Sequence, residues 1–367
     1  MNEKKRDGSA TPTGSEINID DLENLENELN DLSDKQSRSD AEKNMFASMP
    51  GISLNSDNND MGGFDSGPSV SFGETTDKPK VGFSTAQSEK DKSTWDGYGK
   101  FNNVPINPDK PTGKAPEKEK SKVPVLFVFH GGGGKASNMI RGWSRRFSDY
   151  LVVSPQGYKG GWNISAEATK APDTDFFKEI IKDLKVKYPK ANLSGVSMVG
   201  FSNGAGYIFR LLIEIDDENL IKRVVPMVSS MEEGQYRDGS FWQRSNDKNE
   251  NYDVKKKPVT KSSMLSVHGT EDRVVPYLGG KRGRNAIHLS AQDTAFYWAQ
   301  QKGFKGKKIA DKDGKEITSD IISYTYKKAD VTHIKVVGGG HGLGPKGEKV
   351  NPMINDFIRT GKIKRSY

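Results

Sequence analysis

The chain contains no cysteine. That excludes disulfides, thiolate metal sites and a cysteine nucleophile together, and it fits a reducing compartment. Long apolar runs are missing too. None approaches the ~18 residues of a membrane span, so no transmembrane segment is expected. The N-terminus, MNEKKRDGSATPTGSEIN, carries positive charge with no apolar stretch behind it. No signal peptide is therefore expected, and an intracellular, cytoplasmic location follows. Hydrophobic residues make up only 33% of the 367, and mean hydropathy is −0.76. The length could hold two average domains, but the apolar residues are unevenly spread. One globular domain behind a long disordered region is the simpler reading.

The net charge of +7 hides a split: residues 1–120 carry about −8, leaving about +15 on the remainder. No basic stripe is interleaved with aromatics, so scattered solvating lysines are expected and no nucleic-acid partner. Residues 1–120 are rich in Ser, Asn, Asp, Gly, Pro and Lys. Such a segment buries too little apolar surface to offset its ordering entropy, so a disordered acidic tail is expected. Two stretches depart from this. Between about 17 and 33, Leu22, Leu25, Leu29 and Leu32 fall on one face of a short acidic helix, suited to docking a protein partner. At 94–111, TWDGYGKFNNVPINPDKP concentrates Trp95, Tyr98 and Phe101. That island resembles an N-terminal segment of virion-associated proteins of large DNA viruses, which implies virion association as an alternative location. Residues 112–122 then read as a charged linker.

From 121 to 367 the character changes. VPVLFVFH, LVVSPQG, VSMVGFS, RVVPMVSS, MLSVHGT and THIKVVGGG are apolar on both faces, which suits buried parallel strands. Helical patterns lie between them. DTDFFKEIIKDLKVKY puts Phe176, Phe177, Ile180, Ile181 and Leu184 on one face, with Asp173 or Thr174 as cap. NGAGYIFRLLIEI and SAQDTAFYWAQQKG give two more helices. Alternating strands and helices predict a doubly wound α/β sheet. DIISYTYKKADVTHIKVV reads as two strands joined by a short turn, which gives that sheet a mixed edge.

Gly200-Phe201-Ser202-Asn203-Gly204 is a G-x-S-x-G sequence between a predicted strand and a predicted helix. A serine on such a turn presents its hydroxyl at a helix N-terminus, where the dipole favours developing negative charge. His341 follows a strand and three glycines, a tight loop that can deliver an imidazole base to the sheet's C-terminal edge. Glu271 and Asp272 both follow the strand MLSVHGT, where a carboxylate can hold the base. His130 and His268 are expected to be positional, and His288 and His333 to sit in less constrained surroundings. His130-Gly131-Gly132-Gly133-Gly134 follows the first strand, and its Gly131 and Gly132, with the N–H of Asn203, form an expected oxyanion hole. A P-loop is excluded because Lys135-Ala136 follows where Lys-Ser or Lys-Thr is needed. No cluster with metal-ligand spacing is seen, and no cofactor is expected.

Taken together, HGGGG, the SPQG and GGW segments at 154–162, GFSNGAGYIFRL, HGTEDRVVPY and GGGH, in that order, resemble one family. It is the polyhydroxybutyrate depolymerase and feruloyl or acetylxylan esterase group of α/β-hydrolases, over about Pro124 to Gly344. The resemblance implies the α/β-hydrolase fold and a Ser202–His341–Asp272 triad, with Asp272 rather than Glu271 as the acid. It also implies hydrolysis, through an acyl-enzyme, of a carbohydrate ester or a polyester. Trp162 matches an aromatic that the family places near the active site. Structural packing accounts for it equally well. Gly342-Leu343-Gly344-Pro345 stands where family members carry Trp-Pro-Gly, which alters the pocket wall. The segment 232–261 lies where a lid or substrate-contacting insert would sit, and its Phe241 and Trp242 would line the pocket; a polar surface loop fits as well. Two other readings stay open: a peptidase of the same fold, and a particle-associated docking protein with an ancillary hydrolase domain.

Overall fold

The computed structural model describes residues 122–164, 169–282 and 286–364. The leucine segment at 17–33 and the aromatic island at 94–111 lie outside the described residues. In chain order the first half gives β1 (Val123–Phe129), α1 (Ala136–Arg146), β2 (Leu151–Val153), α2 (Asp173–Lys187), β3 (Ala191–Phe201), α3 (Asn203–Glu214) and β4 (Ile221–Met227). A small insert follows, made of β5 (Tyr236–Arg237), β6 (Ser240–Gln243) and β7 (Val254–Lys256). The second half gives β8 (Ser263–Gly269), the hairpin β9 (Gly280–Arg282) and β10 (Ala286–His288), and α4 (Ala291–Gln301). It closes with β11 (Lys315–Thr318), β12 (Ile321–Tyr326), β13 (Val331–Val336) and α5 (Lys346–Thr360).

Eight strands form one sheet in the order β11-β12-β13-β8-β4-β3-β1-β2. All pairs from β13 to β2 are parallel, while β11 and β12 run antiparallel at the far edge. The six doubly apolar runs are the six parallel strands, and the mixed edge falls where the sequence predicts it. Successive side chains on a strand point to opposite faces, so each run feeds two cores. Val125, Phe127 and Phe129 of β1 enter one core, with Phe177 of α2, Tyr207 of α3 and Trp298 of α4. Leu126 and Val128 enter the other, with Met139 and Trp143 of α1 and Ile354 and Phe357 of α5. Helices thus cover both faces. This strand order and sense, with crossover helices on either side, is an α/β-hydrolase fold.

Two local expectations are corrected. Neither Asp173 nor Thr174 caps α2, whose N-cap position is Pro172. The Asp173 carboxylate instead accepts from the backbone N–H of Asn163 at 2.5 Å, and the Thr174 hydroxyl donates to Glu214. Phe241 is not presented at the surface of the insert. It is 2% exposed, in ring contact with Trp298 at 4.7 Å and Tyr236 at 4.9 Å, and belongs to the first core. The sheet also fixes where a site can form. The chain leaves β1 toward β2 and returns to β3 on the other side of β1. Loops at the carboxyl ends of β1 and β3 therefore diverge and leave a crevice.

Candidate active site

Ser202 sits between β3 and α3 with φ 51° and ψ −119°, a backbone conformation costly for any residue with a Cβ. Its N–H donates to the Met227 carbonyl at 2.9 Å, and its own carbonyl accepts from Ala205 and Gly206. The flanking glycines are a packing requirement. A Cβ on Gly200 would lie 2.4 Å from the Gly204 carbonyl oxygen, and one on Gly204 would lie 2.5 Å from that of His130. This close approach is what makes the turn sharp enough to raise the serine above the sheet.

His341 and Asp272 reach the same edge from the loops after β13 and β8. The Ser202 hydroxyl lies 2.8 Å from His341 Nε2, and His341 Nδ1 lies 2.8 Å from Asp272 Oδ2. A carboxylate only accepts, so Nδ1 carries the hydrogen and Nε2 presents its lone pair to the serine. Asp272 is 5% exposed and His341 8%. Burial opposes charge on Asp272, yet hydrogen bonds from His268 and His341 outweigh it and hold the carboxyl below the usual range. Glu271, the competing acid, is exposed, and its Oε1 lies beside Gly338.

The glycine-rich loop is built from the other side. His130 Nδ1 donates to the Gly131 carbonyl at 2.7 Å, while its Nε2 accepts from the Gly157 N–H at 2.9 Å. Burial lowers the His130 pKa to about 4, so the ring is neutral and acts as a fixed spacer. Gln156 accepts from the Ala136 N–H and donates to the Gly134 and Gly157 carbonyls. The Gly133 N–H donates to Gly160 at 2.7 Å. These bonds lock the HGGGG loop to the SPQG loop, and they place Gly132 beside Asn203, where a Cβ would be 3.8 Å from that of Asn203. The side chain of Asn203 clamps the next segment. Its Oδ1 accepts from the Trp162 N–H at 2.6 Å and its Nδ2 donates to the Trp162 carbonyl at 3.0 Å.

The structure therefore brings Ser202, Asp272, His341, Gly132 and Asn203 to one edge, with Gly131 in the loop beneath. The two tryptophans are placed differently. The Trp162 ring is fully buried, stacked on Tyr207 at 4.6 Å, with its indole N–H donated to the His130 carbonyl at 2.9 Å. The ring fits the packing account, while the Trp162 backbone meets the Asn203 side chain. Trp242 is engaged within its own hairpin: Arg237 lies over its ring at 4.2 Å and its N–H faces the Arg237 carbonyl. Leu343, in the segment that departs from the family pattern, is 4% exposed and packs into the second core.

His333 corrects another expectation. Far from being loosely surrounded, it is fully buried, with Nδ1 2.9 Å from the Ser266 hydroxyl and Nε2 3.0 Å from that of Tyr277. Desolvation by burial, with the Lys335 ammonium adding to it, lowers its pKa to about 3. Sequence reasoning also missed Gln156. The SPQG segment was visible as a resemblance, but its partners are 20 to 26 residues away. No helix among the described residues is long and apolar enough to cross a membrane.

No family model matches the chain, and no curated protein matches it. Solved structures similar to it include esterase PE8, at 15% identity and TM-score 0.42, covering 70% of this chain and 97% of that one. LpqC, a poly(3-hydroxybutyrate) depolymerase from Bordetella parapertussis, is similar at 13% identity and TM-score 0.41, covering 66% and 81%. An acylaminoacyl peptidase from Pyrococcus horikoshii is similar at 18% identity and TM-score 0.38, covering 68% of this chain and 39% of that one.

Proposed function

We propose that this protein is a serine hydrolase acting on carboxylic esters through an acyl-enzyme. The observation that carries the reading is the chain of two 2.8 Å contacts from the Ser202 hydroxyl through His341 to the buried Asp272. In the proposed cycle Ser202 Oγ attacks the ester carbonyl carbon while His341 Nε2 takes its proton. Asp272 stabilises the resulting imidazolium. Backbone N–H groups of Gly132 and Asn203, with Gly131 supporting their loop, hold the tetrahedral oxyanion. Collapse breaks the bond to the alcohol, which leaves with the proton from His341. Water then repeats the sequence: its oxygen bonds to the acyl carbon as His341 removes its proton, the acyl–serine bond breaks to release the carboxylic acid, and the proton returns to Ser202.

The finer reading is that the ester belongs to a polysaccharide or to a hydroxyacid polymer. It is supported by the joint resemblance of the HGGGG, SPQG, GFSNG, HGTED and GGGH segments to polyhydroxybutyrate depolymerases and feruloyl or acetylxylan esterases. The test uses the purified full chain with p-nitrophenyl acetate, acetylated xylan, feruloyl esters, hydroxybutyrate oligomers and peptide anilides. Turnover of esters that disappears in Ser202→Ala is the expected result. Peptide cleavage exceeding ester cleavage would replace the esterase reading by a peptidase, and equal rates from both proteins would end the triad assignment.

A further inference from the structure

Asp272 is held by more than its triad partner. Its Oδ1 accepts from the N–H groups of Val274 at 2.8 Å and Val275 at 2.9 Å. Its Oδ2 accepts from His341 Nδ1 at 2.8 Å and also faces His268 Nε2 at 3.1 Å. His268 stands at the carboxyl end of β8, four residues before the carboxylate, and is 1% exposed. The carboxylate thus lies between two imidazoles, of which only one reaches the serine.

The hydrogen on His268 can be assigned from its neighbours. Nε2 also lies 2.9 Å from the Val275 carbonyl oxygen. Both atoms facing Nε2 are acceptors, so Nε2 carries the hydrogen and the ring donates. Nδ1 is buried and, among the described residues, has no hydrogen-bond partner. A second hydrogen there would be an unsatisfied donor inside the protein, so the ring serves as a neutral donor. Its orientation is fixed by Tyr277, whose ring meets it edge-on at 5.7 Å.

We propose that His268 is a positioning residue of the triad: its Nε2–H, held between Asp272 Oδ2 and the Val275 carbonyl, aims the carboxylate at His341. The proposal rests on the serine hydrolase reading above. The two backbone donors anchor Oδ1 but leave the carboxylate plane free to rock about the Cβ–Cγ bond. A third fixed donor on Oδ2 removes that freedom. It also shares the negative charge, so that in the imidazolium state the proton stays on His341 Nδ1 and does not pass to Asp272. His268 is 1% exposed and its Nε2 faces Asp272 and Val275, so its effect should fall on the chemical step and not on binding.

The experiment compares full-length wild type, His268→Phe, His268→Gln and Ser202→Ala on one p-nitrophenyl ester. Phe keeps the volume and removes the donor; the Gln amide can restore a donor near the Nε2 position. The expected result is a kcat about 10- to 100-fold lower in His268→Phe, the range for one lost hydrogen bond to a charged group, with KM nearly unchanged. His268→Gln should recover most of that loss. A His268→Phe variant with wild-type kcat overturns the proposal, and so does an equal loss in Phe and Gln, which would mark a packing role. Nitrogen-15 NMR of the wild-type imidazoles supplies a readout that needs no variant: a hydrogen on Nε2 of His268 supports the proposal and one on Nδ1 alone overturns it. Ser202→Ala separates the two levels. If it retains activity the triad reading fails, whereas if it is inactive while His268→Phe is unimpaired, only the role of His268 fails.

Discussion

Ser202 keeps a positive φ only because its surroundings admit no alternative, and the glycines on either side are where that can be tested. A methyl group on Gly204 would meet the His130 and Phe129 carbonyl oxygens at 2.5 and 2.6 Å, both of them backbone atoms that cannot swing away. Gly204→Ala is expected to cost about 3 kcal/mol of stability, at the upper end for overpacking, and to abolish ester turnover. Urea denaturation checks this, and a variant as stable as wild type would contradict the close approach. Single residues were legible in the sequence where chemistry follows directly on an apolar strand run. Ser202, Asp272 and His341 each stand just beyond such a run, so their convergence on one sheet edge could be expected. His268, at the end of such a run, could be expected to be positional, but His333 was not legible in the same way. The ring of His333 is held by Ser266 and Tyr277, 67 and 56 residues away in sequence, and no local pattern announces that pairing.

Elements were legible in proportion to how uniformly apolar they are. The six parallel strands and helices α2, α3 and α4 stand out in the sequence, but α1 and α5 do not. Helix α1 offers Ala136, Met139 and Trp143 as buried residues and carries Gly142, while α5 contains Pro352 in its interior. Both are helices by virtue of packing on the sheet more than by propensity. The insert from 232 to 261 gives the clearest contrast between pattern and packing. Its polar sequence suggests a mobile cover, yet Phe241 is seated against Trp298, and Tyr252 donates its hydroxyl to the Ile164 carbonyl at 2.6 Å. Phe241→Ala should therefore cost about 3 to 5 kcal/mol of global stability, as for other buried aromatics. A loss under about 0.5 kcal/mol, measured by chemical denaturation, would place the segment among loosely attached surface features.

For the molecule as a whole, the buried histidines set a pH window. His130 and His333 have pKa values of about 4 and about 3 in the folded state, against 6.5 when unfolded. Above 6.5 both states hold neutral rings and the full stability is present. As pH falls below that value the unfolded chain takes up protons first, so stability declines down to the folded pKa values. Asp272 acts lower: its contribution is full above its unfolded value of 3.8 and is lost as pH falls further. The thermal midpoint should fall steadily from pH 7 to pH 4, and His333→Gln should make that fall shallower; a flat profile in wild type would contradict the burial of these rings. The central claim concerns Ser202, and covalent labelling tests it most directly. Full-length protein is treated with a fluorophosphonate, and the adduct is counted by intact mass and located by peptide mapping. The account predicts one adduct per chain, on Ser202, absent in Ser202→Ala and formed at least about a thousandfold more slowly in His341→Gln. Labelling at another residue, or at Ser202 with undiminished speed in His341→Gln, would contradict it.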